Sequence, residues 1–213
     1  MQIIFHLSVH DIVDLLLRRG HLDTRIFNQS SMQEGTRLHA LYQNEQKEGY
    51  HAEYPLKHTF QQENYIYVVS GKADGVIIDE KTGEITIEEI KTTVADLDEF
   101  IKDHGEWHLG QALFYAYMIA KEKDVDHVHI LMTYLRQQNY RISKQIRKEY
   151  KIEDLQRFVS ELILRFTSFQ KKIQKMKDNR DESLKKISFP FPTYRKGQKE
   201  MMELVSEAAT EAK

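Results

Sequence analysis

The chain has 213 residues, of which 40% are apolar, so it can bury the core of one large domain and is not a disordered chain. No apolar run approaches the roughly 20 residues of a membrane helix, and the N-terminus MQIIFHLSVHD lacks the basic-then-apolar layout of a signal peptide; we therefore expect a cytoplasmic protein with no membrane partner. Because the chain has no cysteine, disulfides, thiolate zinc sites and a cysteine-bound iron–sulfur cluster are excluded, and any metal must be bound by oxygen or imidazole.

The first half of the chain reads as a short apolar start, two helices and three extended segments. Ser8 can cap the first helix, with Asp11 three residues later, and Gly20 can end it. The apolar spacing predicts a second helix from about Met32 to Glu48. β-branched and aromatic residues separated by turn signals then predict three strands, at Tyr50–Phe60, Tyr65–Ile78 and Glu84–Thr92.

The second half returns to helical spacing and ends in a polar, proline-containing stretch. Helices are predicted at Trp107–Glu122 and Ile152–Met176, and strands at His127–Tyr134 and Asn139–Ile146. FPFP, residues 189–192, follows the polar run KMKDNRDESLKK and predicts a boundary between a domain of residues 1–186 and a segment of residues 187–213. We expect an α/β fold, with a mixed central β-sheet flanked by helices on both faces.

The net charge of −2 hides an uneven distribution. Residues 136–196 hold 17 Lys and Arg against 7 Asp and Glu, whereas the remaining residues hold 14 against 26. The basic region could meet a polyanion, and the acidic remainder could hold cations. The alternative is that long charged helices are simply solvated.

The segment GKADGVIIDEKTGEITIEEIKTT, residues 71–93, places many charges inside two apolar strands. A four-residue loop from Glu80 to Gly83 predicts a hairpin in which Asp74 faces Glu89 directly. Two like charges opposed across a strand pair repel, which indicates a cation between them. Alternation places Ile85, Ile87, Glu89 and Lys91 on one face, and Thr86, Glu88, Ile90 and Thr92 on the other.

Two carboxylates beside an ammonium group suit Mg²⁺ chemistry. Hard oxygens hold the ion, while the ion or Lys91 stabilises charge that develops on a phosphoryl oxygen. From the spacing alone, an ordinary exposed ribbon, with solvated Asp and Glu side chains and a lysine that screens them, is the favoured reading.

Four motifs in order resemble the RecB-type branch of the PD-(D/E)XK nuclease superfamily. They are the helix EGTRLHALYQ at residues 34–43, GKADG at 71–75, the Glu-x-Lys of EIK at 89–91, and QALFYAY at 111–117. The resemblance implies a restriction-endonuclease-like core and a divalent-metal-dependent deoxyribonuclease with Mg²⁺ or Mn²⁺. Members of this branch often carry four cysteines for an iron–sulfur cluster, and this chain has none.

The resemblance also implies roles for individual residues. Asp74, Glu89 and Lys91 are the catalytic set, with Lys91 orienting the attacking water or offsetting charge in the transition state. The metal ligands are His39, Asp74, Glu89 and the carbonyl of Ile90, while Gln111 and Tyr115 contact the substrate or brace the site. Glu53 is a further candidate, and Glu88 competes with Glu89 for the motif position; the Glu-x-Lys spacing and the face favour Glu89.

The tail FPFPTYRKGQKEMMELV, residues 189–205, is similar to the segment that opens the core of DinG/XPD-type superfamily-two helicases. Tyr194 and Gln198 would then correspond to the aromatic residue and glutamine that approach adenine. No phosphate-binding loop follows before Lys213. We therefore expect the nuclease domain of a nuclease–helicase in DNA repair or processing. Its expected partners are DNA, single-stranded or at ends, and a C-terminal helicase domain; the alternative is a non-catalytic DNA-binding module that guides the helicase.

Overall fold

A computed structural model describes residues 2–19, 29–137, 141–188 and 191–211. Over these residues the chain forms six strands and five helices, which confirms the expected α/β class. In chain order they are β1 (Ile3–Ser8), α1 (Val9–Leu17), α2 (Gln29–Asn44), β2 (Tyr50–Gln62), β3 (Tyr65–Ile78), β4 (Ile85–Thr93), α3 (Leu97–Lys123), β5 (His127–Arg136), β6 (Arg141–Lys151), α4 (Ile152–Leu184) and α5 (Gln198–Glu211). Within the described residues, no helix combines the length and apolar character needed to cross a bilayer.

Most element positions follow the sequence, and the largest difference is the start of α3. The sequence predicts this helix from Trp107, whereas it begins ten residues earlier at Leu97, where Asp96 accepts hydrogen bonds from two backbone N–H groups of the first turn. Those first turns are rich in charge and include Gly105, which hides the helical spacing, but Phe100 still packs against the core. Gly20, the predicted end of α1, and Asn139, the predicted start of β6, lie outside the described residues.

The strands form one mixed sheet in the order β1-β3-β4-β5-β6, with β2 paired to the other side of β3. β1 runs parallel to β3, and β4 runs parallel to β5. The β2–β3, β3–β4 and β5–β6 pairs are antiparallel. The mixed sheet expected from the sequence is therefore confirmed.

β3 changes partners along one of its two sides. β2 covers one side nearly end to end. On the other side β1 pairs with Tyr65–Ser70 and β4 pairs with Gly75–Ile78, so residues 71–74 face neither strand; we call this stretch the β3 gap. Since β1 is parallel and β4 antiparallel to β3, the carboxyl ends of both strands reach the gap. Crevices at such switch points of a sheet are common places for binding sites.

Helices cover both faces of the sheet. On one face, Tyr42 of α2 donates a hydrogen bond to Glu88 of β4 at 2.7 Å. On the other face, α1, α3 and the first part of α4 enclose the main core. Tyr67 of β3 is fully buried there, with its ring edge-on to Phe166 at 5.6 Å and its hydroxyl 2.9 Å from Thr167 of α4. The sheet is therefore enclosed by helices, as expected.

The chain divides into two compact units, residues 1–170 and 171–213. The first unit holds the whole sheet, α1–α3 and the first part of α4. The second holds the end of α4 and all of α5, whose Met201, Leu204 and Val205 are exposed. In that unit the Gln198 side chain accepts a hydrogen bond from the Arg195 N–H at 2.9 Å. The boundary predicted near residue 186 stays a prediction.

Candidate functional site

The turn of the β3–β4 hairpin forms as predicted. Asp79 N donates to Glu84 O at 3.0 Å, and Gly83 N donates to Asp79 O at 2.7 Å, which leaves the four-residue loop from Glu80 to Gly83 between them. Gly83 has a φ of 74°, a left-handed conformation that glycine adopts without steric cost. The loop sets the pairing of Ile78 with Ile85 and hence the register of both strands.

The hairpin ladder ends one residue before the predicted contact between the two acidic residues. The last pair is Gly75 with Glu88, so the expected direct pairing of Asp74 with Glu89 is wrong. Instead, Asp74 Oδ2 accepts a hydrogen bond from the Ile90 N–H at 2.7 Å. The reason is that a short carboxylate can replace a backbone carbonyl as acceptor, which lets the two strands diverge without leaving the N–H unpaired.

Two other side chains approach the backbone in and beside the β3 gap. Gln43 of α2 donates to the Asp74 carbonyl at 2.8 Å. The Tyr115 hydroxyl of α3 lies close to the backbone at Gly71 and Lys72. A Cβ atom at Gly71 would lie 2.6 Å from that hydroxyl, so glycine is required for this close approach. Side chains of α2 and α3 therefore both reach the backbone at the gap.

Glu89, Lys91 and Gln111 form a buried chain of polar contacts on the α3 face. Lys91 Nζ lies 2.5 Å from Glu89 Oε1 and donates to Gln111 Oε1 at 2.9 Å. Glu89 is 3% exposed and Gln111 is 1% exposed. The predicted placement of Glu89 and Lys91 on one face is confirmed, and the burial of Gln111 and Tyr115, which is 2% exposed, favours a bracing role for both.

Burial and neighbouring charges shift the pKa values of Glu89 and Lys91. Burial raises the pKa of Glu89 to about 7, although the Lys91 ammonium opposes the shift. For Lys91, burial alone would lower the pKa, but the carboxylates of Glu89 and Asp74 outweigh it and hold the pKa above its usual value. Lys91, whose side chain is 20% exposed, is therefore a mostly buried cation at neutral pH, beside a carboxyl group that titrates near neutrality. Such perturbed groups are typical of functional sites.

His39 and Glu53 approach the same end of the sheet. Burial lowers the pKa of His39 while the Asp74 carboxylate opposes this, so its imidazole is neutral at pH 7 and able to bind a metal. Glu53 occupies the β2 position between the pairs Ala52–Gly75 and Tyr54–Ala73. Its φ is 52°, an uncommon value for a residue with a side chain, and it places backbone strain opposite Asp74.

The predicted metal ligands are near one another but are not assembled into a metal-binding group. Among the described residues, no three His, Asp or Glu side chains lie close enough together to hold an ion. Glu89 is paired with Lys91, and Asp74 with the Ile90 N–H. The donor types nevertheless fit Mg²⁺ or Mn²⁺, because carboxylate oxygens with a neutral imidazole suit these ions.

Three residues that the sequence did not indicate complete the surroundings of Gln111. Gln111 Nε2 lies 3.0 Å from His10 Nδ1 and donates to Asp14 Oδ1 at 3.4 Å. Trp107 Nε1 donates to the same Asp14 oxygen at 2.6 Å. The spacing of His10 and Asp14, one turn apart on α1, is the available signal, but sequence alone does not tell which helix they face.

Glu88, the competing glutamate, lies on the opposite face from Lys91. It is fully buried and accepts hydrogen bonds from the Tyr42 hydroxyl at 2.7 Å and from the Thr133 hydroxyl. Gln145 of β6 donates to that Thr133 hydroxyl at 3.1 Å. Alternation along β4 predicted this separation of the two glutamates, which is confirmed.

His108, one turn before Ala112 on α3, is held neutral inside the core. It is 4% exposed, and within the described part of the chain its Nδ1 has no hydrogen-bond partner. Burial, with the nearby charges of Lys91 and His104, lowers its pKa to about 3 from an ordinary 6.5. Between these values the unfolded chain binds more protons than the folded chain, so acid favours unfolding.

We therefore expect stability to be lost through His108 as the pH falls below 6.5 towards 3. The slope is at most about 1.4 kcal/mol per pH unit for one group, or about 2 kcal/mol between pH 6.5 and 5. Urea unfolding of the wild type and His108→Gln at pH 7 and pH 5 measures this contribution. The variant should lose less stability on acidification by that amount, and an equal loss in both proteins would contradict the assignment.

Comparisons with known proteins add little to this geometry. No family model matches the chain, and no curated protein matches it. The solved structures that match include one described as the crystal structure of SSO0001, with 15% identity, coverage of 75% of each chain and a TM-score of 0.46. A likeness this low does not bear on activity.

Proposed function

We propose that the chain is a divalent-metal-dependent deoxyribonuclease of the PD-(D/E)XK type, acting at the β3 gap. The observation that carries the proposal is the meeting of Asp74, Glu89 and Lys91 at this switch point of the sheet. A buried ion pair there, 2.5 Å between Lys91 and Glu89, is costly to maintain for stability alone. Its position at the carboxyl ends of two strands supports a catalytic use.

The metal would be held by His39, Asp74, Glu89 and the carbonyl of Ile90. When bound, Mg²⁺ or Mn²⁺ would polarise the phosphodiester and lower the pKa of a water molecule. An imidazole among the ligands favours the somewhat softer Mn²⁺. Glu89 fits this use because a carboxyl group with a pKa of about 7 is readily deprotonated when a cation approaches.

The protein's own part in the reaction is to supply a fixed positive charge. Lys91 keeps its proton at neutral pH because Glu89 and Asp74 surround it. It can orient the attacking water or offset negative charge on the phosphoryl oxygens. Gln111, 2.9 Å from Nζ, fixes the direction of the ammonium group, so little reorganisation is needed when the substrate binds.

We propose DNA as the substrate, and a helicase domain in the same full-length protein as the partner. β6 supports a polyanionic substrate, since its sequence RISKQIRKEYK carries five Lys and Arg and its residues 142–149 are exposed. Two of these cations are also paired, Lys144 with Asp98 and Arg147 with Glu84. The helicase partner rests on the resemblance of residues 189–205.

A second candidate is a non-catalytic DNA-binding module. The observation that favours it is the commitment of Glu89 to Lys91 and of Asp74 to the Ile90 N–H, with no three-ligand group among the described residues. Such a module would keep the fold and the basic strand and would bind DNA without cleaving it.

The two glutamates of β4 give a matched test of the proposal. Glu89→Gln and Glu88→Gln make the same neutral, isosteric change on opposite faces of one strand. End-labelled single- and double-stranded DNA is incubated with each variant in Mn²⁺, Mg²⁺ or EDTA. We expect the wild type and Glu88→Gln to cleave with metal only, and Glu89→Gln to lose about 10²-fold to 10³-fold.

Binding of DNA without cleavage by the wild type in every metal would favour the DNA-binding module. Equal cleavage by all three proteins would show that Glu89 is not part of the active site. The free energy of unfolding of both variants, measured in urea, shows whether a loss of cleavage comes from loss of fold.

A further inference from the structure

The first helix supplies polar groups to the site that the proposed reaction does not yet use. α1 begins at Val9, directly after β1 ends beside Ser70 at the edge of the β3 gap. Its His10 and Asp14 both contact Gln111, the residue that bonds Lys91. We propose that His10 and Asp14 are positioning residues that hold Lys91 in place through Gln111.

The donors and acceptors fix the orientation of the Gln111 amide. A lysine ammonium can only donate, so the Gln111 atom 2.9 Å from Lys91 Nζ must be the carbonyl oxygen. The amide nitrogen then faces α1, where it needs acceptors. Asp14 Oδ1 is one at 3.4 Å, and His10 Nδ1 is the other at 3.0 Å. His10 must therefore present a bare Nδ1 and carry its proton on Nε2.

One of the two acceptors, Asp14, is itself held by a neighbouring aromatic residue. Trp107 Nε1 donates to Asp14 Oδ1 at 2.6 Å, and the Arg18 guanidinium lies 5.0 Å from the centre of the Trp107 rings. His10 Nδ1 is 3.6 Å from the same Asp14 oxygen. Asp14 of α1 is thus held by a hydrogen bond from α3, while the His10 side chain is 55% exposed.

Without the α1 acceptors, the Gln111 amide gains an alternative orientation. Turned by half a rotation, it would present its NH₂ group to the Lys91 ammonium, and two donors repel. Lys91 would then lose the contact that fixes its direction, although its ion pair with Glu89 would remain. Loss of a residue that orients an active-site side chain in this way commonly lowers activity by about 10-fold to 100-fold.

The test uses the whole chain. Its first readout, the rate of DNA cleavage, rests on the proposed nuclease function. His10→Ala should lower kcat for metal-dependent DNA cleavage by about 10-fold or more with KM unchanged. His10→Asn should restore most of the loss, because its side-chain oxygen can accept from Gln111. His6→Ala, an exposed histidine four residues earlier, is the matched control and should leave kcat unchanged. In a Gln111→Met background, His10→Ala should have no further effect.

Additive losses from His10→Ala and Gln111→Met, or a change in KM alone, would overturn the proposal. A second readout does not need activity. Nitrogen-15 NMR of the His10 ring should show the Nε2–H tautomer with Nδ1 as acceptor, and the Nδ1 signal should move in Gln111→Met. An Nδ1–H tautomer, or no movement, would overturn the positioning role even if the protein cleaves DNA. If the protein does not cleave DNA but the NMR result is as expected, the nuclease function is contradicted and the positioning role of His10 is not.

Discussion

Replacing Asp74 with asparagine should reduce metal-dependent DNA cleavage by at least about 10³-fold. The change removes one of the two carboxylates that would hold the metal ion, and a bound ion stabilises the transition-state charge by several kcal/mol. The fold should survive. The asparagine oxygen can still accept from the Ile90 N–H, now 2.7 Å from Asp74 Oδ2, so the free energy of unfolding should change by about 1 kcal/mol or less. Single-turnover cleavage and urea unfolding measure the two effects separately.

Asp79 provides the control for this substitution. It lies on the same hairpin but at the turn, where its carboxylate accepts from the Lys81 N–H at 2.8 Å. Asp79→Asn makes the same chemical change away from the gap and should leave cleavage unchanged. Cleavage that survives Asp74→Asn would place the active site elsewhere.

Replacing Lys91 with methionine should have the largest effect on stability, and the effect should depend on pH. The change keeps the length of the side chain but leaves Glu89 buried without its cation. Breaking a buried ion pair from one side costs about 3–5 kcal/mol. That cost is an upper limit here, because the folded variant can instead protonate Glu89, whose pKa is already about 7 in the wild type.

The sign of the pH dependence follows from the raised pKa of Glu89. In the unfolded chain this group titrates near 4.5, so between 4.5 and its folded value the folded protein binds more protons and loses stability as the pH rises. Lys91→Met removes the attraction that opposes this shift. The folded variant can keep Glu89 protonated, so its deficit relative to the wild type should be larger at pH 8 than at pH 5.5 by up to about 1.4 kcal/mol, which corresponds to one pH unit above the wild-type pKa of about 7. Urea unfolding at both values tests this, and an equal deficit at both would show that Lys91 does not act on the charge of Glu89.

The geometry of the β3–β4 hairpin could be predicted because its determinants are local. Gly83 sets a four-residue loop, the loop sets the register, and alternation then assigns Glu88 and Glu89 to opposite faces. The general α/β class could also be predicted, since helical and extended spacing alternate along the chain. These features depend on residues close together in the sequence.

The departures arise where distant segments meet. The contact of Asp74 with the Ile90 N–H exists because β1 pairs with β3 only up to Ser70 and β4 pairs with β3 only from Gly75 onwards. The hairpin sequence alone does not reveal this change of partner. His10 reaches Gln111 across 101 positions of sequence. The start of α3 was missed because its first turns are charged and gain their stability from tertiary packing rather than from a regular apolar face.

Binding of Mn²⁺ to the protein tests the central claim most directly, because a metal site at the β3 gap separates a nuclease from a module that only binds DNA. Free Mn²⁺ is followed by electron paramagnetic resonance as the wild type, Asp74→Asn and Asp79→Asn are titrated. The account predicts saturable binding to the wild type and Asp79→Asn that is lost in Asp74→Asn. Absence of saturable binding to the wild type, or equal binding to all three, would contradict it.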